Sequence, residues 1–178
     1  MANTKQGMAK HSMQRFMHSF HHEHQSDGLE IRNGLFRHVL SNKQGRLVCV
    51  KLYANGWSIT TTAGTVYENV RLNGNEIEIS PAGNIRRASL VLSEYVPKAR
   101  PQRVDKVLVD TVLGQIEMRN DKDSALGIFL NGERVGSLVN PDKRSARYEL
   151  PDSISLADAA ILYCIGMMAI RYDDIDIV

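Results

Sequence analysis

The stretch from Leu156 to Ile170 constrains the fold more than any other part of this chain. Its twelve residues from Ala159 to Ile170 carry no charge and show no polar stripe at the 3.6-residue period, so a helix here has no face to give to water. Such a helix is buried on all sides or lies in lipid. At about 1.5 Å per residue the run reaches about 22 Å, short of the roughly 30 Å hydrocarbon core of a bilayer. Burial inside the protein is therefore the expectation. The ends of the helix are marked as well: Ser155 suits the N-cap, Asp158 the N3 position of a capping box, and Arg171 the negative end of the helix dipole.

The residues available to surround that helix read as short strands. Asn55-Gly56, Asn73-Gly74 and Asn131-Gly132 each sit between β-rich runs, and Asn-Gly supplies the positive φ that a tight hairpin turn requires. The turns separate Leu47–Tyr53 from Trp57–Thr62, Val70–Leu72 from Glu76–Ile79, and Gly127–Leu130 from Arg134–Val139. Further candidates are Leu35–Leu40, Ala88–Val96, Val104–Val112, Gln115–Arg119, Arg147–Leu150 and, at the end of the chain, Ile175–Val178. Glu76-Ile77-Glu78-Ile79 and Ile116-Glu117-Met118-Arg119 alternate cleanly, which gives one wet and one dry face. Two packed sheets leave no space for a helix between them, whereas a closed barrel with a dry interior does. The expected fold is mainly β: an antiparallel β-barrel of about ten to twelve strands enclosing one hydrophobic C-terminal α-helix, plus a short N-terminal amphipathic helix.

With 178 residues, 43% of them hydrophobic, the chain has the material for one such domain. Residues 1–28 divide from it as an N-terminal helix and a His-rich linker, and residues 29–178 form the barrel. Met13, Phe16, Met17 and Phe20 fall at helical spacing, a pattern that docks on its own domain or on a membrane surface. His21, His22 and His24 follow, without the HExxH frame or paired ligand spacing of a metal centre, so no metal site is assigned. The chain start shows no secretory signal, and the two cysteines, Cys49 and Cys164, cannot build a disulfide framework. A cytoplasmic location, peripheral to a membrane at most, is the expectation.

Motifs for catalysis are missing: no GxSxG, no phosphate-cradling GxxxxGK[ST], no GxGxxG. His38 is the sole histidine beyond the N-terminal segment, which leaves a Ser/His or Cys/His mechanism without partners. No catalytic residue and no cofactor are assigned. Charge is more informative. Residues 29–103 carry a net charge of +6 and residues 104–178 a net charge of −5. Clustered Lys and Arg raise the local potential and steer polyanions to a surface.

Hairpin strands followed by Tyr148-Glu149-Leu150-Pro151, the apolar Leu156–Ile170 helix and acidic Asp173-Asp174 resemble the tubby C-terminal-like superfamily, which includes tubby, LURP-one-related and phospholipid scramblase proteins. The resemblance spans about residues 29–178 and is closest to its small, stand-alone bacterial members. It implies a barrel of about twelve strands around the helix and a non-enzymatic binding or scaffold domain. Tubby proteins bind phosphoinositides through Lys and Arg on the barrel exterior. Together with the basic middle segment, this makes an anionic phospholipid headgroup or another phosphate-bearing partner the expected ligand, met by Arg86 and Arg87 or by Lys98, Arg100 and Arg103. A protein partner fits the same surface, and no nucleic-acid motif is present. The alternatives are a barrel that binds a small apolar ligand beside its helix, and a membrane-associated protein that uses the helix itself.

Overall fold

The computed structural model describes residues 29–52, 56–80, 84–94, 102–121, 124–139, 146–151 and 153–173. The N-terminal helix, the His-rich segment, Lys98, Arg100 and the terminal strand read over Ile175–Val178 lie outside them.

Twelve strands form one closed antiparallel barrel. They are β1 (Leu29–Asn33), β2 (Arg37–Asn42), β3 (Gly45–Leu52), β4 (Gly56–Thr61), β5 (Val66–Asn73), β6 (Glu76–Ser80), β7 (Ile85–Leu92), β8 (Val104–Thr111), β9 (Gly114–Asp121), β10 (Ser124–Leu130), β11 (Glu133–Val139) and β12 (Arg147–Glu149). Each strand pairs with its neighbour in sequence, and β12 closes on β1 through Leu29 opposite Tyr148 and Glu30 opposite Arg147. Closure leaves no strand edge open.

Glycines with positive φ mark five of the hairpins, at Gly45, Gly64, Gly74, Gly114 and Gly132. Asn131 and Gly132 both adopt positive φ, 50° and 89°, between β10 and β11. The expected strand over Leu35–Leu40 begins later, at Arg37, because Leu35 and Phe36 form the turn of a further hairpin. There the Gly34 amide donates to the Arg37 carbonyl at 2.9 Å, and the residues ahead of it form β1.

The helix α1 (Leu156–Asp173) fills the barrel. Every residue from Ala159 to Ala169 is buried, and consecutive positions cover the whole circumference of a helix, so α1 is enclosed on all sides. The inward-facing residues of the strands, among them Leu40, Ile59, Val70, Val107, Met118, Ile128 and Leu138, pack onto it as one hydrophobic core. Burying each large aliphatic side chain stabilises by about 1.5–3 kcal/mol relative to exposure. Gly166 permits the closest approach: a Cβ there would lie 3.0–3.2 Å from Met118, Leu126 and Leu138 of β9, β10 and β11. The N-cap is as expected. Ser155 Oγ accepts the Asp158 amide at 3.1 Å and bonds Asp158 Oδ2 at 2.7 Å, and the Gln44 side chain accepts the Leu156 amide at 2.7 Å.

The outer wall carries charge in place of the apolar band of a transmembrane barrel. Arg87 pairs with Glu76, Lys106 and Arg119 with Glu117, and Arg134 with Asp121. Among the described residues no helix is long and apolar enough to cross a membrane.

Candidate functional site

An up-and-down barrel filled by an axial helix offers two mouths, one at each end of α1. They differ in every property that matters for binding.

At the C-terminal end of α1 the wall is aromatic and cationic. Lys51, near the end of β3, shares the inward side with Leu47 and Cys49 and stands opposite Trp57 of β4. The Arg171 guanidinium lies over the Trp57 ring at 5.7 Å, within reach of a cation–π attraction. These three residues, with Leu72, Met168 and Tyr172, line a cavity of about 110 Å³. No described acidic side chain pairs with Lys51 or Arg171. Beside them the Lys51 amide donates to the Phe36 carbonyl at 2.9 Å, which fixes the β1–β2 hairpin tip against this rim. That tip exposes Leu35 by 81% and Phe36 by 60%, and Leu52, next in sequence to Lys51, is 42% exposed. Three of the four exposed large apolar side chains among the described residues thus gather beside these cations.

Beneath the basic mouth lies a polar chain within the core. His38 Nδ1 and the Tyr163 hydroxyl are 2.6 Å apart, and that hydroxyl reaches the Asn33 side-chain oxygen at 3.4 Å. Trp57 meets His38 edge to face at 5.1 Å. The bonds satisfy groups that would otherwise be costly to bury.

At the N-terminal end of α1 the wall is aliphatic and acidic. A cavity of about 240 Å³ opens among Ile85, Val112, Leu113, Leu130 and Leu162, with Asp158 and Asn84 as its polar part. It is smaller than the roughly 300–1,000 Å³ of drug-sized ligand pockets. Asn84 Nδ2 donates to Asp158 Oδ2 at 2.9 Å. Glu68, on the inward side of β5 opposite Ile59, is only 6% exposed, and its Oε2 has no hydrogen-bond partner. Burial, and secondly the negative charge of Asp158, push the Glu68 carboxyl above the ordinary glutamate range.

The expected ligand residues do not gather at one place. Arg86 and Arg87 are exposed near the start of β7, at the acidic end of the barrel, whereas Arg103 is exposed just ahead of β8, at the basic end. Arg87 is engaged by Glu76 through two bonds of 2.6 and 2.9 Å, which hold the Glu76 carboxyl below its ordinary range. Arg103 is tied by its backbone, its amide bonded to Ser93 Oγ and its carbonyl to the Ser93 amide. The Lys51–Trp57–Arg171 cluster and Glu68 are not among the residues that the sequence singles out. One signal was present for each: Lys51 falls on the inward parity of an apolar strand, and Glu68 on that of Val70 and Leu72.

Neither cysteine is placed for chemistry. Cys49 and Cys164 are both buried, and burial together with a contact to Cys49 holds the Cys164 thiol well above the usual thiol range, which disfavours the reactive thiolate. Among the described residues no three His, Cys, Asp or Glu side chains gather as a metal site would require. Comparison with known proteins finds no matching family model, curated protein or solved structure.

Proposed function

We propose that the protein is a non-enzymatic binding domain that docks on anionic phospholipid surfaces with its basic mouth. The observation that carries this reading is the exposed Leu35-Phe36 tip set against unpaired Lys51 and Arg171 on one rim. Apolar side chains at a hairpin tip reach the boundary between headgroups and acyl chains, while neighbouring cations meet lipid phosphates. Exposed Arg37, the first residue of β2, adds a further cation beside the tip. Exposed Arg103, just ahead of β8, lies at the same end and extends the basic surface in this reading. Phosphoinositide binding by the tubby-like proteins that the sequence resembles points to the same ligand chemistry.

Vesicle co-sedimentation tests it. The protein should pellet with phosphatidylcholine vesicles containing phosphatidylserine, and not with phosphatidylcholine alone. Binding should weaken from 0.1 to 1 M salt, as the Debye length falls from about 10 to about 3 Å. At about 1 kcal/mol per basic residue near an anionic leaflet, Lys51→Gln with Arg171→Gln should cost roughly tenfold or more. Leu35→Ser with Phe36→Ser should cost at least as much, through lost apolar burial. Vesicle binding unchanged in both double variants would refute the proposal.

A further inference from the structure

The cavity at the N-terminal end of α1 has no part in that function, and its lining limits what can fill it. The walls are mainly aliphatic, with Ile85, Leu113, Ile116, Leu130 and Leu162 among them, and the volume is about 240 Å³. An apolar cavity of about 150 Å³ takes up benzene, so this space suits one ring with a short substituent. The polar lining residues are Asn84, Thr111 and Asp158. Thr111 Oγ1 is engaged both ways: it donates to the Gly114 carbonyl at 2.7 Å and accepts the Leu113 amide at 3.1 Å. Asn84, exposed at the rim, donates to Asp158 Oδ2, which also receives the Ser155 hydroxyl. That leaves Asp158 Oδ1, which accepts no hydrogen bond among the described residues. Protein does not close this oxygen off, since Glu68 Oε2 is the one fully buried side-chain oxygen without a partner among those residues.

The surroundings of Asp158 decide what the substituent can be. Its carboxylate repels an anion, and three of the amides at the start of α1 that could receive one are taken: Leu156 by Gln44, Asp158 by the Ser155 hydroxyl and Ala159 by the Ser155 carbonyl. Attraction for a cation is reduced by the positive end of the helix dipole, which lies beside Asp158 in the first turn and offsets its charge. A neutral hydroxyl matches the one open acceptor and brings no charge to be desolvated among aliphatic walls. We propose that this mouth binds a small neutral hydroxyl compound, a single ring whose body lies against Ile85, Leu113 and Leu162 and whose O–H donates to Asp158 Oδ1. The proposal is independent of the membrane reading, which uses the opposite end of the barrel.

Three probes of similar shape test it: benzyl alcohol, toluene and benzoate, titrated into the full-length protein and followed by nuclear magnetic resonance. Benzyl alcohol and toluene should both bind, and benzoate should bind at least tenfold more weakly than the alcohol. Overhauser contacts from the benzyl alcohol ring should reach the methyl groups of Leu113 and Leu162. Asp158→Asn exchanges a charged acceptor for a weaker neutral one of the same shape, so it should weaken benzyl alcohol at least threefold and leave toluene within twofold. Comparing the two probes on one variant separates the lost hydrogen bond from any loosening of the helix cap. Lys51→Gln with Arg171→Gln should change neither probe, which keeps this test apart from the vesicle experiment. The proposal is overturned if benzyl alcohol or toluene does not bind, if benzoate binds as well as the alcohol, if Asp158→Asn weakens both probes equally or neither, or if the ring contacts lie elsewhere in the barrel.

Discussion

The two mouths of this barrel are built from the same strands and the same helix, yet one is aromatic and basic, the other aliphatic and acidic. Part of the difference comes from α1. A helix running along the barrel axis presents a positive end at one mouth and a negative end at the other, and each attracts side chains of opposite sign. Asp158 sits in the first turn and Arg171 in the last. The capping that stabilises the helix thus also sets opposite electrostatics at the two openings. The aromatic content is the second part: Trp57, Tyr163 and His38 pack edge-on or tilted against one another near the basic end, while Ile85, Leu130 and Leu162 line the acidic one. An enclosed helix is core filling and, at the same time, the source of a polar axis for the domain.

The comparison breaks most visibly in stability. Trp57 is among the largest fully buried side chains and contacts His38 and Arg171, whereas Val112 at the other mouth is half exposed beside empty space. Trp57→Ala should therefore cost about 3–5 kcal/mol in urea-induced unfolding. Val112→Ala should stay within about 0.5 kcal/mol. Comparable losses at the two sites would mean that the acidic mouth is as tightly packed as the basic one.

Glu68 sharpens the contrast through pH. Its folded-state carboxyl is raised above the ordinary value of 4.5, so the folded protein holds this proton more tightly than the unfolded chain does. Stability from this group is complete below about pH 4.5 and declines as pH rises from there through the folded-state value. Once deprotonated, the buried carboxylate is a burden on the fold. Glu68→Gln should be more stable than the parent at pH 7, by up to about 1 kcal/mol, with the gain absent at pH 4. Thermal melts of both proteins at the two pH values measure this, and an equal difference at both would show that Glu68 folds with an unperturbed carboxyl.

The architecture was legible in the sequence because three local signals agreed: an apolar helix with no polar stripe, Asn-Gly turns between alternating runs, and a Ser155/Asp158 cap. Agreement of that kind leaves few topologies, and the barrel is among them. What escaped was local. β1 escapes because its hairpin turns at Leu35-Phe36, an apolar pair with neither glycine nor proline and so without a turn signal in the sequence. The candidate sites escaped for a different reason. The sequence shows charge only as a run along the chain, whereas in a meander each strand reverses direction, so Arg86 and Arg103 end at opposite rims while Lys51 and Arg171, 120 positions apart, share one. Parity along the strand distinguishes a lysine at the mouth from one on the wall, and that information appears only when strand ends are known.

The smallest effect expected is also the one that separates free charge from paired charge. Arg86 and Arg87 belong to the basic stretch of the sequence, and a simple count of cations would give them the same weight as Lys51 and Arg171. Their surroundings differ. Arg87 is held by Glu76 and feels Asp110 across the β7–β8 ladder, so its charge is offset on the wall itself. Arg86 follows Asn84 and Ile85 of the acidic mouth, at the other end of the barrel from the Leu35-Phe36 tip, so salt screening weakens its attraction to a membrane engaged by that tip. Arg86→Gln with Arg87→Gln should accordingly leave phosphatidylserine-vesicle binding within about twofold of the parent, against the tenfold or greater loss expected when Lys51 and Arg171 are neutralised. If the two pairs of substitutions reduce binding equally, attraction follows the net charge of the whole molecule, and the basic mouth holds no special place in it.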